Sequence, residues 1–271
     1  MTGNAMTPRT ATGEPAIGVF PDAEAVSTAA GDLIADVLRD AVVARERADW
    51  ATTGGSAPIG IYRRLGTEPL RDGIPWAGVH LWWGDDRYVP RDHPLSNILP
   101  VDQVLLAGPT PGARIPAANI HPFPTSEAIG EARRPAWAAA RYEAELRSAG
   151  LETQDGWPVF DLVLLGVGPD GHVMSVFPGS TAFDESAWVL PIPAPTHVEP
   201  HVTRLTLNPR VLDVARHVLV VVQGAAKAEI VATIFGDERD PRRWPAQLVR
   251  RPGVTWLLDE DAAARIPPGL R

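Results

Sequence analysis

DLVLLGVGPDGHVMSVFPG, residues Asp161 to Gly179, opens with an unbroken apolar run from Leu162 to Leu165. A short run of this kind, bounded by glycine, predicts a strand buried on both faces, as in a parallel α/β sheet. The chain then turns through Gly166, Gly168 and Gly171, residues that tolerate positive φ and close backbone approach. Asp170 and His172 sit inside that turn, an acid and a base at the C-terminal end of a central strand. In open α/β sheets ligands bind there. The spacing also spells GxGxxG, the dinucleotide fingerprint. Asp170 would repel a pyrophosphate in that loop, and the position about 20 residues on, where a ribose-binding acid belongs, reads Val189-Leu190-Pro191. A nicotinamide cofactor is therefore not expected.

Upstream of this loop, Val79–Trp83 reads as a strand that delivers Gly84-Asp85-Asp86-Arg87 at its C-terminal end. Two adjacent acids and an arginine there suit orienting or charge-stabilising work. Further upstream, Thr53-Gly54-Gly55-Ser56-Ala57-Pro58 runs a glycine-rich loop into a helix start, with Pro58 in its first turn. Free N–H groups and the helix dipole make that an anion site. It has no P-loop lysine, so a sugar phosphate fits better than a nucleoside triphosphate. Before it, Pro15–Phe20 reads as a first strand. Asp22 caps a helix with Ala25, Ala29, Leu33, Val37 and Leu38 facing inward, and Trp50–Thr53 is weakly patterned. Leu99–Leu106 reads as helix, and Gly108–Pro124 as irregular. Ser126 caps a helix running to Arg147 that Pro135 kinks or splits.

Downstream, Thr181–Pro200 is proline-rich and is expected to wrap the surface. Thr203–Leu207 alternates like a strand, and His217–Val222 is a further buried one. Gln223–Lys227 then leads into a helix through Phe235. Lys227 at a helix start is unfavourable for the dipole, which an anion nearby would explain. Val254–Leu258 is a last strand, with Asp259 capping a closing helix. Strands and helices alternate, which predicts an α/β fold with a doubly wound, mostly parallel sheet. Residues 1–14 read as a flexible tail and 15–271 as a single domain without repeat or linker.

The net charge of −8 argues against nucleic acid as a partner. No apolar run approaches a membrane span, the N-terminus lacks the apolar core of a signal peptide, and cysteine is absent. A cytoplasmic protein is expected. Of the 25 basic residues only Lys227 is lysine, which suggests a position that wants a compact ammonium. Thiolate metal sites are excluded. His197 and His201 are four apart but lie in a segment too rich in proline to be helical.

TGGSAP, WWGDDRYVP followed by SN, GVGPDGHVMSVFPG, TRLTL and VVQGAAKA occur in that order. In this the chain resembles the 6-phosphogluconolactonases, over nearly its whole length. The resemblance implies a three-layer α/β/α fold and hydrolysis of 6-phospho-D-glucono-1,5-lactone to 6-phosphogluconate, the second step of the pentose phosphate pathway, without a metal or other cofactor. The family usually reads Asp-Glu-Arg at Asp85-Asp86-Arg87 and Ser-Thr-Pro at Ser56-Ala57-Pro58. Lactone hydrolysis needs a base, donors for an oxyanion and a grip on the phosphate. His172 is the best base, since imidazole titrates near neutrality. Asp170 or Asp85 orients it or stabilises its charged form. Arg87 binds substrate or offsets developing charge. Gly54, Gly55 and Ser56 supply donors to the phosphate, and the resemblance implies Arg204 and Lys227 as its countercharge. No Gly-x-Ser-x-Gly elbow is present for a covalent serine mechanism.

Two other readings compete. Amino-sugar-phosphate deaminase/isomerases resemble this chain through the phosphate loop and the Asp-Gly-His turn, but follow that turn with a Phe-Asn-Glu segment. Here Val173–Pro178 contains no carboxylate. A non-catalytic sugar-phosphate-binding domain of a transcriptional regulator shares the general fold but carries a helix-turn-helix, for which the short tail leaves no room. It also has no need of a His–Asp pair.

Overall fold

The computed structural model describes residues 9–10, 13–107 and 112–270. Seven parallel strands form the central sheet, in spatial order Ala16–Phe20, Val254–Asp259, Val218–Val222, Leu162–Leu165, Ala48–Thr52, Val79–Trp83 and Ile120–His121. The short segment Arg9–Thr10 adds an antiparallel edge beside Ala16–Phe20. The central strands are buried along their whole length, as expected where helices cover both faces. The three-layer α/β/α expectation holds.

Strand order reverses between Ala48–Thr52 and Leu162–Leu165. From the first, the chain moves outward to Val79–Trp83 and Ile120–His121. From the second, it moves the other way to Val218–Val222 and Val254–Asp259. The loops that leave these two strands, Thr53–Gly55 and Gly166–His172, therefore diverge and leave a crevice at the C-terminal edge of the sheet. A second, antiparallel sheet of three strands, Val189–Ile192, Arg204–Leu207 and Asp85–Arg87, stands beside it. Gly84 is the hinge between the sheets. Its N–H donates to Thr52 O, and its carbonyl accepts from Leu207 N, each at 2.8 Å.

The first helix, Ala23–Arg45, is capped by Asp22, whose Oδ1 accepts from Ala25 N at 2.8 Å. Leu38 of the expected face is fully buried; the rest of the fully buried stripe, Val26, Ala30 and Ile34, lies one position on from Ala25, Ala29 and Leu33, and Ala29, Leu33 and Val37 flank it. The helix Ala57–Leu65 packs against it with Ile61, Tyr62 and Leu65 buried. Pro135 splits the expected long helix into Thr125–Gly130 and Pro135–Ser148. Ser126 caps neither piece; its hydroxyl accepts from Arg91 N.

Several expectations change. Of the weakly patterned Trp50–Thr53, all but Thr53 falls on the central strand Ala48–Thr52. The proline-rich segment contributes the strand Val189–Ile192. Residues 101–106 form a π-helical turn. Asp259 accepts from Ala262 N at 2.8 Å, but the chain after it makes turns rather than a helix. Most of the expected flexible tail, residues 1–14, lies outside the described residues. Glu14 is fixed, however, in a bidentate pair with Arg250 at 2.7 and 2.9 Å, so the anchored chain begins before residue 15. Of the expected irregular segment, residues 108–111 also lie outside the description, and Ile120–His121 joins the sheet edge. Among the described residues no helix is long and apolar enough to cross a membrane.

Candidate active site

A cleft of about 230 Å³ occupies the crevice. Thr53, Gly54 and Gly55 line it from one diverging loop, and Gly166, Val167, Gly168 and His172 from the other. Asp85, Arg87 and Arg204 enter from the antiparallel sheet, and Lys227 from the turn after Val218–Val222. Eight of the nine side chains or glycines singled out in the sequence thus converge, seven as lining and Asp170 directly behind His172. Ser56 does not face the cleft. Its residue lines a neighbouring groove between the helices Ala23–Arg45 and Ala57–Leu65, because the chain has already turned into the second helix there.

Asp170 accepts two imidazole hydrogen bonds. His172 Nδ1 lies 2.5 Å from Oδ1 and His197 Nε2 lies 2.8 Å from Oδ2. Burial works to raise the Asp170 pKa, but the bonds from His172 and His197 and the charge of His172 outweigh it. The carboxyl is held well below its ordinary range. An ionised carboxylate only accepts, so both rings donate to it. The neutral His172 ring therefore carries its proton on Nδ1 and keeps Nε2 free to take another. Gly171, at φ +83°, makes the turn that brings the ring back over the Gly168 backbone.

Asp85 is differently placed. Its Oδ2 accepts from Ser175 Oγ at 2.6 Å, and its Oδ1 and carbonyl accept from Asn97 Nδ2 at 3.3 and 2.9 Å. Of the two carboxylates left open by the sequence, Asp170 is the one that touches His172. Asp86 points away into the interior and accepts from Arg87 N, Asn97 N and Ser96 Oγ. Burial pushes its carboxyl up to about 7 against those bonds.

Arg87 and Arg204 lie opposite each other in register across the antiparallel strands. Each donates to one main-chain carbonyl, Arg87 to Leu95 at 2.6 Å and Arg204 to Pro200 at 2.8 Å. Each also keeps a buried Nε without a partner, and neither has a carboxylate partner among the described residues. Burial and the Arg87 charge push Arg204 down to about 10. Two neighbouring, half-satisfied guanidinium groups suit an anion that accepts from both. Lys227 Nζ donates to Val167 O at 2.7 Å, and burial lowers its pKa against the pull of Asp170.

A family profile described as glucosamine-6-phosphate isomerases/6-phosphogluconolactonase matches residues 21–257. The chain belongs to this family. Within it, the 6-phosphogluconolactonase of Mycobacterium tuberculosis is 36% identical over 252 residues, 93% of this chain and 98% of its own. The 6-phosphogluconolactonase of Synechocystis is 35% identical over 85% of this chain and 90% of its own. The solved 6-phosphogluconolactonase structure from Trypanosoma brucei superposes with a TM-score of 0.79 at 30% identity, covering 94% of this chain and all of that one. A monomeric glucosamine-6-phosphate deaminase structure matches at TM-score 0.73 but 20% identity, which is a likeness of fold alone.

In this family member further residues, in the cleft or directly beside it, are not singled out as site residues by the sequence. Asn97 and Ser175 hold Asp85. Met174, at φ +52°, packs against Gly84, and Phe177 lies 4.7 Å from the His172 ring, centroid to centroid. His197 completes the Asp170 bridge. Ser175 and Phe177 lay within the central stretch and Asn97 within the SN pair. His197 carried no signal beyond being a histidine, since its partner is 27 residues away.

Proposed function

We infer that this protein hydrolyses 6-phospho-D-glucono-1,5-lactone to 6-phosphogluconate, with His172 as the base that activates water. The observation that carries the assignment of roles is the cleft itself. At one wall stands an imidazole whose Nδ1–H is committed to a carboxylate, and at the other an in-register pair of arginines that have no carboxylate partner among the described residues. The membership in the family and the names of the relatives support the reaction.

In this reading Nε2 of neutral His172 takes a proton from water as the water oxygen attacks the lactone carbonyl. Asp170 stabilises the imidazolium that forms. The carbonyl oxygen gains negative charge, which a guanidinium of Arg87 offsets. Collapse of the tetrahedral intermediate breaks the bond to the ring oxygen. That oxygen leaves as an alcohol with the proton returned from His172, and the other product group is a carboxylic acid, which releases water's second proton to solvent and becomes the carboxylate. Arg204, Lys227 and the N–H groups of Gly54 and Gly55 hold the phosphate. Asp85, with its acceptor positions occupied by Ser175 and Asn97, fixes the wall on which Arg87 stands. The same reading carries a small-molecule sugar phosphate as the partner and a cytoplasmic location, in keeping with a chain without cysteine.

The test is consumption of freshly made 6-phosphogluconolactone, corrected for spontaneous hydrolysis. Expected is a catalysed rate well above background and no ammonia release from glucosamine 6-phosphate. Lactone loss at the background rate, or ammonia release from the amino sugar, overturns the assignment.

A further inference from the structure

We propose that His197 is a positioning residue for the site, clamping Asp170 by its second oxygen so that the first meets His172 Nδ1. The proposal deepens the reading of His172 as the base and rests on it for its kinetic consequence. Asp170 sits in a glycine turn, and a carboxylate there can rotate about χ2 unless something holds its plane. His172 occupies Oδ1 and His197 occupies Oδ2, at 2.5 and 2.8 Å. With both oxygens held, the carboxylate plane is fixed between two rings. Phe177 fills the angle between them, tilted against His172 at 4.7 Å and edge-on to His197 at 5.9 Å.

His197 comes from a segment that the fold ties down at its base. His201 Nδ1 donates to Pro195 O at 2.7 Å, closing residues 195–201 into a loop. Arg204 Nη2 donates to Pro200 O at 2.8 Å. The two residues after His197, Val198 and Glu199, line the cleft. The bond to Asp170 thus joins that cleft wall to the catalytic turn. His197 is about half exposed, at 48% of its side chain. A core role does not account for its placement, and its substitution leaves the interior intact.

The experiment compares wild type, His197→Ala and His197→Gln. Glutamine keeps a neutral N–H donor at similar reach. The direct readout is the far-downfield Nδ1–H proton resonance of His172, which a held Asp170 protects from exchange. The kinetic readout is kcat on the phosphorylated lactone, with thermal unfolding as a check on the fold. Loss of one net hydrogen bond predicts a fall in kcat of about two- to tenfold in His197→Ala. Expected with it are a broadened or lost resonance, an unchanged melting temperature and recovery of both readouts in His197→Gln. A resonance in His197→Ala as sharp as in wild type overturns the clamp, as does a glutamine variant no better than alanine. If the resonance is lost in His197→Ala and restored in His197→Gln while kcat stays constant, the clamp stands and the base assignment of His172 falls.

Discussion

A methyl group on Gly168 would sit 2.0 Å from Nδ1 of His172. The His172 ring lies directly on the Gly168 backbone, and Gly168 N–H donates to the His172 carbonyl at 2.9 Å. Gly168 does not have the positive φ that an L-residue avoids, so only the ring excludes a side chain there. Gly168→Ala is expected to displace His172 from Asp170 and to lower kcat/KM by roughly 10²-fold or more, approaching the loss of the base itself. Gly130→Ala, where a methyl meets nothing within 4 Å, is the control. Steady-state kinetics on both variants, with circular dichroism for the fold, decide the matter. Full activity in Gly168→Ala means that the ring position is not needed.

Removing the imidazole is the direct form of the same test. His172→Ala should cost roughly 10²–10⁴-fold in kcat, with little change in melting temperature because the ring lies in a loop at the cleft. Near-normal turnover would make His172 structural.

Lys227 reaches the cleft with one donor spent on Val167 O, leaving its other donors for a ligand. Lys227→Ala should raise KM for the phosphorylated lactone far more than it lowers kcat. A charge-assisted contact is worth on the order of 1.5–3 kcal/mol, about tenfold to a hundredfold in KM. Unphosphorylated gluconolactone should be a poor substrate, nearly indifferent to the change. Lys227→Arg should recover part of the loss, since a planar fork replaces a compact ammonium. Equal damage to both substrates counts against a phosphate contact.

Asp86 gives a prediction for stability rather than rate. Its folded pKa, about 7, lies above the value of an unfolded aspartate, near 4. Between those values the folded state holds a proton that the unfolded state has released, so this group makes stability fall as pH rises from about 4 to about 7. Asp86→Asn keeps the shape and removes the titration. Expected is a flatter dependence of the unfolding midpoint on pH over that window, with the variant at least as stable as wild type above pH 7. A midpoint that falls equally steeply in both proteins would assign the effect to other groups.

Chelation is the last test. Cysteine is absent, and no group of three or more His, Cys, Asp or Glu among the described residues is arranged to hold a metal ion. Activity is expected to survive exhaustive treatment with a chelator. Loss that zinc restores would make His172 and Asp170 ligands and the nucleophile a metal-activated water.

Much of this protein is legible in its sequence, for reasons local to the chain. Leu162–Leu165 and Val218–Val222 are continuous apolar runs because both faces of a central parallel strand are buried. Asp22, Pro58 and Pro135 mark helix starts through backbone geometry that each residue imposes on its own neighbours. The Gly-Pro-Asp-Gly-His turn keeps an acid and a base two residues apart, so Asp170 is within reach of His172 by local geometry.

Other features are decided only in three dimensions. Ala48–Thr52 hides as a strand because it carries Asp49, a residue that strands disfavour. The Arg47 guanidinium and Trp82 Nε1, at 2.6 and 2.9 Å, make that carboxylate tolerable in the interior. The Asp85 carboxylate is held by Ser175, 90 residues away, and by Asn97, partners that only the fold brings to it. Arg87 and Arg204 become a pair only through strand register, and Ser56 leaves the cleft only because the helix has already begun. The reason is common to all four. Periodicity and turn chemistry act over a few residues and are written in the chain, whereas register, packing direction and the pairing of distant charges depend on which strands the fold sets side by side.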